Sequence, residues 1–445
     1  MPEERGVSTR NAPDLPEGFK TTELGPLPEE WRVVRLGEVA VLTMGQSPPS
    51  STYNTVGQGL PFLQGKAEFR AVYPAPIKWC SQPQRIAERG SVLISVRAPV
   101  GNVNIADRVY CIGRGLAAIK GVDNLDNWFL FYQLIFSKQR LEEKGTGSTF
   151  KSINKGVLQN LPIPLPPLPE QRAIAYVLRA VQRAKEATER VLTALKELKK
   201  SLMKHLFTYG PVPLDQADQV PLKKTEIGPV PENWELVKLG ELCRIVRGGS
   251  PRPKGDPRYF SKRPTGIHWI KISDLTKYKR GLYITATDEY LTEEGKRKSR
   301  FLRRGTFVVT NSGTVGIPAF LGIDGCIHDG YLAFLDIETS RLHGFYLYYW
   351  IENIKTYLEK IAPRGTQANL NTTIAKNLSI SLPPIPEQRA IARILQTVDR
   401  KIEAEEARKE ALEGLFKTLL HHLMMAKIRL PKEFIRRFEE TGSHG

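Results

Sequence analysis

Signatures of catalysis and metal binding are what this chain lacks. Its four cysteines, Cys80, Cys111, Cys243 and Cys326, show no CxxC spacing. That excludes a thiolate zinc site and a disulfide framework and points to reduced thiols in the cytoplasm. Seven histidines are scattered, and the one adjacent pair, His421 and His422, falls in a helical pattern where a surface or interface role outweighs ligation. No metal site is expected. GLPFLQGKA at Gly59 to Ala67 misses the phosphate-loop pattern: its first glycine comes one position early, and Ala67 stands where Ser or Thr would hold magnesium. No glycine-rich dinucleotide fingerprint follows a strand, and no Asn/Asp-Pro-Pro-aromatic motif offers base methylation. No apolar run of about 18 residues is present, so no transmembrane helix is expected. The opening MPEERGVSTR has no apolar segment, which argues against secretion.

Acidic residues are also short. Sixty-five Lys and Arg stand against 47 Asp and Glu, a net charge of +18. That much excess cation on one chain points to a polyanion, with nucleic acid the default partner.

What is present is a duplication. LPPLPEQRAIA at Leu165 to Ala175 returns as LPPIPEQRAIA at Leu382 to Ala392, identical at ten of eleven positions. In each copy a proline run breaks into a helical pattern. Pro169 and Pro386 suit a first turn, where the missing N–H costs nothing, and Glu170 and Glu387 oppose the positive end of the helix dipole. LPEEWRVVRLGEV at Leu27 to Val39 answers VPENWELVKLGEL at Val230 to Leu242, an offset of 203 that aligns Trp31 with Trp234. Gly90, Gly101, Cys111 and Gly115 match Gly305, Gly316, Cys326 and Gly330 at 215, and the proline motifs match at 217. The second copy thus carries about twelve extra residues between Pro251 and Gly305, as expected where one scaffold presents unlike recognition loops.

Each copy reads as short β-rich segments broken by Gly and Pro, then an aromatic helix near Asn127 to Glu143 or Gly344 to Lys360. After the proline motif, Ile174, Val177, Val181, Ala184, Thr188, Val191, Leu195, Leu198 and Leu202 hold a 3/4 alternation in which only Thr188 is polar. This predicts one helix from Glu170 to Phe207, about 57 Å long. The second copy repeats the stripe, interrupted by Glu405 and Lys409. Helices of that length need a partner, and the simplest is each other, antiparallel. The expected organisation is an N-terminal arm (1–21), a first domain (22–164), a long helix (165–207), a linker (208–224), a second domain (225–381), a second long helix (382–427) and a partly frayed tail (428–445). The fold class is α/β (α+β): two repeated mixed units and a pair of long antiparallel coiled-coil helices.

From Arg247 to Arg304 sixteen Lys and Arg face six acids, beside the GGSP turn at Gly248 to Pro251. Arg and Lys can bond guanine O6 and N7, and Asn and Gln can bond adenine, which makes Arg252, Lys254, Arg258 and Asn311 candidate readers. The matching region of the first copy, GQSPPSSTYNTVGQG, is poorer in charge, so the two copies should not read the same bases.

These residues resemble the specificity subunit of type I restriction-modification enzymes. The likeness rests on the two opening signatures, the GGSP turn, HWIKISDL at His268 to Leu275, GTVG at Gly313 to Gly316, NLN at Asn369 to Asn371 and the doubled proline-helix motif. The first copy departs from it, with MGQSP for GGSP, PFLQGKAEF for HWIKISDL and SIN for NLN. The resemblance implies a non-catalytic subunit in which each target-recognition domain reads one half of a bipartite asymmetric site. The paired helices would set the gap and dock two methyltransferase subunits, with restriction subunits joining. S-adenosylmethionine, ATP and magnesium would belong to those partners, with no cofactor in this chain. It implies DNA contacts at Gln46, Ser47, Tyr53, Gln64, Lys66, Arg97 and Lys151 in the first copy. In the second it implies Arg247, Ser250, Arg252, Lys254, Arg258, Tyr259, Lys271, Ser273, Asn311, Ser312, Thr314, Arg364 and Gln367. Partner contacts fall at Glu170, Gln171, Arg172, Glu387, Gln388 and Arg389. Two other readings remain open on sequence alone: a stand-alone DNA-binding regulator that dimerises through its helices, and a nuclease or methyltransferase with an unfamiliar active site.

Overall fold

The computed structural model describes residues 15–145, 151–264, 266–362 and 370–439. The chain divides into two compact units, one made of 1–189 and 408–445, the other of 190–407. Each unit therefore contains half of both long helices.

In the first unit a four-stranded antiparallel sheet runs in the order Val103–Ile105, Val92–Ser95, Leu116–Gly121, Ala40–Met44. Beside it lies a five-stranded sheet in the order Tyr53–Asn54, Lys78–Cys80, Leu60–Leu63, Tyr110–Ile112, Ile86–Ala87. Only Tyr110–Ile112 with Leu60–Leu63 is parallel. The second unit repeats both sheets. Its larger one gains two strands, Lys279–Arg280 and Tyr283–Ile284, next to a helix at Ile272–Tyr278. The extra residues of the second copy are spent there.

The aromatic segment of each copy is not one helix but two, Asn127–Phe136 and Lys138–Glu143, then Gly344–Asn353 and Lys355–Ile361. Phe129, Phe131 and Tyr132 in one unit, and Tyr346, Tyr349 and Trp350 in the other, are fully buried. These rings are core, each large side chain contributing roughly 2 kcal/mol or more by leaving water.

A short strand delivers the chain into each long helix: Pro162–Leu165 pairs with Arg32–Arg35, and Ser379–Leu382 with Glu235–Lys238. The helices run Leu168–Tyr209 and Ile385–Met424, the first being 42 residues and so about 63 Å long. It starts two residues before and ends two after the span the stripe predicts. Thr188, the polar member of the stripe, is buried all the same. The helices pair antiparallel inside each unit, with Lys409 on Glu189 at 3.1 Å in the first and Lys196 on Glu406 at 2.8 Å in the second. Lys409, an interruption of the seam by sequence, is thus an ion-pair partner across it.

Two boundaries differ from expectation. The linker contains a 3-10 turn at Leu214–Gln219 and opens the next hairpin at Leu222–Thr225. The tail is not frayed over its described part: a short helix at Lys432–Arg436 brings Phe434 and Phe438 onto the Tyr176 ring, centroids 6.1 and 5.5 Å away. Among the described residues no helix is long and apolar enough to cross a membrane.

Candidate nucleic-acid interface

In both units one loop crosses over the turn that links the two sheets. In the first unit, the Gly45 and Gln46 N–H groups donate to Leu116 O and Ile112 O at 2.9 and 3.0 Å. In the second, Gly248 and Gly249 donate to Tyr331 O and Ile327 O at 2.9 and 3.1 Å. The crossing needs glycine: a Cβ on Gly45 would lie 2.2 Å from Gly113 O, and one on Gly248 2.1 Å from His328 O. A serine then locks the turn. Ser47 Oγ accepts from the Arg114 N–H at 3.2 Å, and Ser250 Oγ accepts from the Asp329 N–H at 3.3 Å.

Side chains expected at the interface gather around these two turns. In the first unit the Gln64 amide donates to Ser47 Oγ at 3.0 Å. Arg97 is exposed next to Val96, whose N–H bonds Gly115 O, and its backbone bridges to Ser152, beside Lys151. Gln46 and Lys66 are exposed, and Lys151 Nζ donates to Glu142 O at 3.2 Å. Tyr53 turns inward, its hydroxyl donating to Pro48 O at 2.8 Å and its ring stacked 4.6 Å from Phe62, so it is packing and not an open platform for a base.

In the second unit Asp329 is the hub. Its carboxylate accepts from Ser250 Oγ at 2.6 Å and faces His328 Nε2 at 3.1 Å, with the guanidiniums of Arg247 and Arg252 at 3.9 and 4.0 Å. Its carbonyl accepts from Arg247 Nε at 2.7 Å and Asn311 Nδ2 at 3.2 Å. Arg300 joins by donating from Nε to Arg247 O at 2.7 Å. Burial works against ionising Asp329, but the Ser250 hydroxyl and the charges of His328, Arg247 and Arg252 outweigh it and hold the carboxyl below its ordinary range. His328 is pushed down, chiefly by burial and further by Arg252, Lys254 and Lys271, against the pull of Asp329. The Gly330 N–H donates to its Nδ1 at 2.9 Å, so Nε2 carries the proton toward Asp329.

Other residues stand apart from this picture. Asn311 is wholly buried and Tyr259 nearly so, which removes both as base readers and makes them structural. Arg258 is exposed but folded onto Asp256 at 2.8 Å. Lys271 pairs with Glu289, and its carbonyl accepts from the Tyr331 hydroxyl beside the turn. Lys254, Ser273 and Thr314 are exposed and Ser312 is half-buried. Arg364 and Gln367, like Asn369, lie outside the described residues. Sequence reading missed Arg114, Asp329 and His328. The offset of 215 that aligns Gly115 with Gly330 also aligns Arg114 with Asp329, and that was the available signal.

The proposed partner contacts need a larger correction. Gln171 is fully buried: its Oε1 accepts from the Asp126 N–H, and its Nε2 donates to Asn124 O and Pro166 O, at 2.8 to 2.9 Å. Gln388 repeats this with His343 N–H, Arg341 O and Pro383 O at 2.7 to 2.8 Å. Glu170 is buried under Trp31 and Arg429, and Glu387 takes the Trp234 indole at 3.1 Å. These four side chains clamp each long helix to its own domain. Arg389 is exposed, and Arg172 is half-buried with its Nη1 toward Phe438 O at 3.5 Å.

The four thiols are buried and free, and burial raises Cys111 and Cys243 to about 12 and Cys326 to about 11, so they act as packing groups.

Two repeats of one mixed α/β unit, each feeding a long helix and each presenting a locked loop crossing with exposed guanidinium groups, define a recognition protein of two reading units. The profile of the Type I restriction modification DNA specificity domain matches residues 28–197 and 231–414, one region per repeat. The chain belongs to that family, the specificity subunits of type I restriction-modification systems, whose part is recognition and not catalysis. It is 25% identical over 424 residues to the type I restriction enzyme MjaVIII specificity subunit of Methanocaldococcus jannaschii, covering 93% of this chain and 96% of that one. A 195-residue stretch is 47% identical to a second protein of that organism, provisionally named the MjaX specificity subunit of a type I restriction enzyme. That match covers 43% of this chain and 46% of the relative. The type I restriction-modification S subunit of M. genitalium has the same fold, with a TM-score of 0.60 at 16% identity over 88% of this chain and 96% of that one.

Proposed function

We propose that this chain is the DNA-reading subunit of a cytoplasmic type I restriction-modification complex. Each unit reads one half of a bipartite asymmetric site in double-stranded DNA. The long helices set the gap between the half-sites and dock two methyltransferase subunits, which restriction subunits join. S-adenosylmethionine, ATP and magnesium are held by those partners. The observation that carries this reading is the repeated loop crossing, built on the same hydrogen bonds in both units but lined with different side chains. One scaffold with two linings suits two unlike half-sites, because phosphate contacts position a protein and base contacts specify. The regulator alternative is less well supported, since the likeness to specificity subunits extends over nearly the whole chain.

Single-molecule sequencing of methylated adenines in the source genome tests it. The expected result is a split, asymmetric motif with a fixed gap that disappears when this chain is deleted. Persistence of every methylated motif after deletion would refute the proposal. Replacing 22–160 with the corresponding region of another such subunit should change one half-site only.

A further inference from the structure

The two loop crossings are the same in backbone and opposite in charge. Arg114 and Asp329 occupy equivalent apices, each with its N–H on an equivalent serine. The inversion extends to their surroundings. The groups facing Asp329 are Arg247, Arg252 and His328, and the same offsets place Met44, Pro49 and Gly113 at those positions in the first unit. Arg114 thus answers an anion, Asp329, and the three positions that face Asp329 with ionisable groups hold uncharged residues in the first unit. The exchange leaves each unit with guanidinium groups at its crossing.

The guanidiniums come from opposite sides. In the first unit the exposed Arg114 projects from the turn. In the second the turn supplies an acceptor, and the crossing loop supplies Arg247, whose Nε is fixed by Asp329 O at 2.7 Å and whose Nη2 lies 3.9 Å from the carboxylate. Anchored at Nε, that guanidinium keeps Nη1 and Nη2 for a ligand, and its side chain is 47% exposed. A fixed, half-exposed guanidinium suits paired acceptors such as guanine O6 and N7.

We propose that Arg114 reads a guanine in one half-site, that Arg247 reads a guanine in the other, and that Asp329 is the positioning residue for Arg247. This rests on the DNA-reading function proposed above and names the residues that discriminate.

The test is selection of bound sequences from a randomised duplex pool by the full chain and its variants, each assembled with its two methyltransferase subunits. Arg114→Gln should lower preference for one guanine in one half-site by about 5- to 150-fold, the range for one bidentate base contact. Arg247→Gln should do the same in the other half-site. Asp329→Asn keeps the main-chain acceptor and removes only the charge, so it should weaken that same position less than Arg247→Gln does, Asp329→Glu should restore it, and Asp329→Asn should add nothing once Arg247 is Gln. Failure of the wild-type chain to enrich a split motif would overturn the DNA-reading function and this assignment together. A wild-type motif that survives Arg114→Gln and Arg247→Gln unchanged overturns the assignment alone. So does uniform weakening with a salt slope shallower by about one, which marks a phosphate contact. Arg114 and Arg247 are exposed, so their variants keep the test valid even if the Asp329 variants unfold.

Discussion

The indole N–H of Trp31 donates to the Glu170 carboxylate at 2.9 Å, joining the first signature of a repeat to the motif that closes it 139 residues later. Trp234 and Glu387 repeat the bond at 3.1 Å, but only Glu170 also meets an arginine, Arg429 Nε at 2.9 Å. Glu170→Ala would leave a buried indole donor and a half-buried guanidinium short of a partner, a loss of about 3 kcal/mol. Glu387→Ala orphans the indole alone and should cost about 1 to 2 kcal/mol. Urea denaturation of the two variants checks the order, and an equal loss would show that Arg429 adds nothing.

Arg429 also reaches Glu30 at 2.7 Å, so the tail ties the opening signature to the first helical turn of the long helix. Truncation after Ala426 would remove Arg429 with Phe434 and Phe438. It should lower the melting temperature of the full chain more than Phe438→Ala does. If the truncated chain melts like the wild type, the tail is not a clamp.

The proline-helix motif shows how far the sequence could be read. Its repetition revealed two units and two long helices, because near-identical text and a sustained apolar stripe are local properties. What Gln171 and Gln388 do was not legible: two of each amide's three partners lie 45 to 47 residues away, and a buried polar strut looks in sequence like a docking residue. Tyr259 and Asn311 failed as readers for the same reason, since burial is settled by tertiary packing. Arg114 and Asp329 stayed hidden because equivalent positions with opposite charge resemble no motif.

His328 and Asp329 predict a two-stage acid response of the second unit. Both groups sit below their ordinary values, 6.5 and 3.8. The unfolded chain therefore takes up each proton at higher pH than the folded one. The His328 contribution is complete above pH 6.5 and is lost as pH falls through its folded value. The Asp329 contribution is complete above 3.8 and is lost below that. Melting curves from pH 7.5 to 3 should show both declines, and His328→Gln should shrink the upper one, to which His268 and His343, also lowered by burial, add their share. An unchanged upper decline would assign it to another group.

At four aligned positions the junction between helices and domain is uncharged in one unit and largely ionic in the other, although Gln182 of the first also donates to Glu186 at 3.4 Å. An offset of 217 aligns Tyr132, Ile135, Gln182 and Phe416 of the first unit with Tyr349, Glu352, Asp399 and Lys199 of the second. Tyr132 donates to Gln182 at 3.2 Å with the Phe416 ring 6.0 Å away. Tyr349 donates to Asp399 at 2.7 Å, where Lys199 Nζ bonds both Asp399 and Glu352 at 2.9 Å. Burial alone would lower Lys199, but the two carboxylates outweigh it and hold the ammonium above its ordinary value. Lys199→Phe strands both carboxylates and should cost about 3 kcal/mol, whereas exchanging a whole buried ion cluster for packed neutral groups is often neutral or better. The triple variant Lys199→Phe, Glu352→Ile, Asp399→Gln copies the neutral junction and should recover most of that loss, with Lys279 still beside Glu403 and the Tyr348 hydroxyl. Phe416→Lys in the first unit should be costly, because the aligned positions there are Ile135 and Gln182. Denaturant midpoints of the three variants decide the matter: a triple variant no more stable than Lys199→Phe would mean that the cluster's neighbours, and not its charges, distinguish the two junctions.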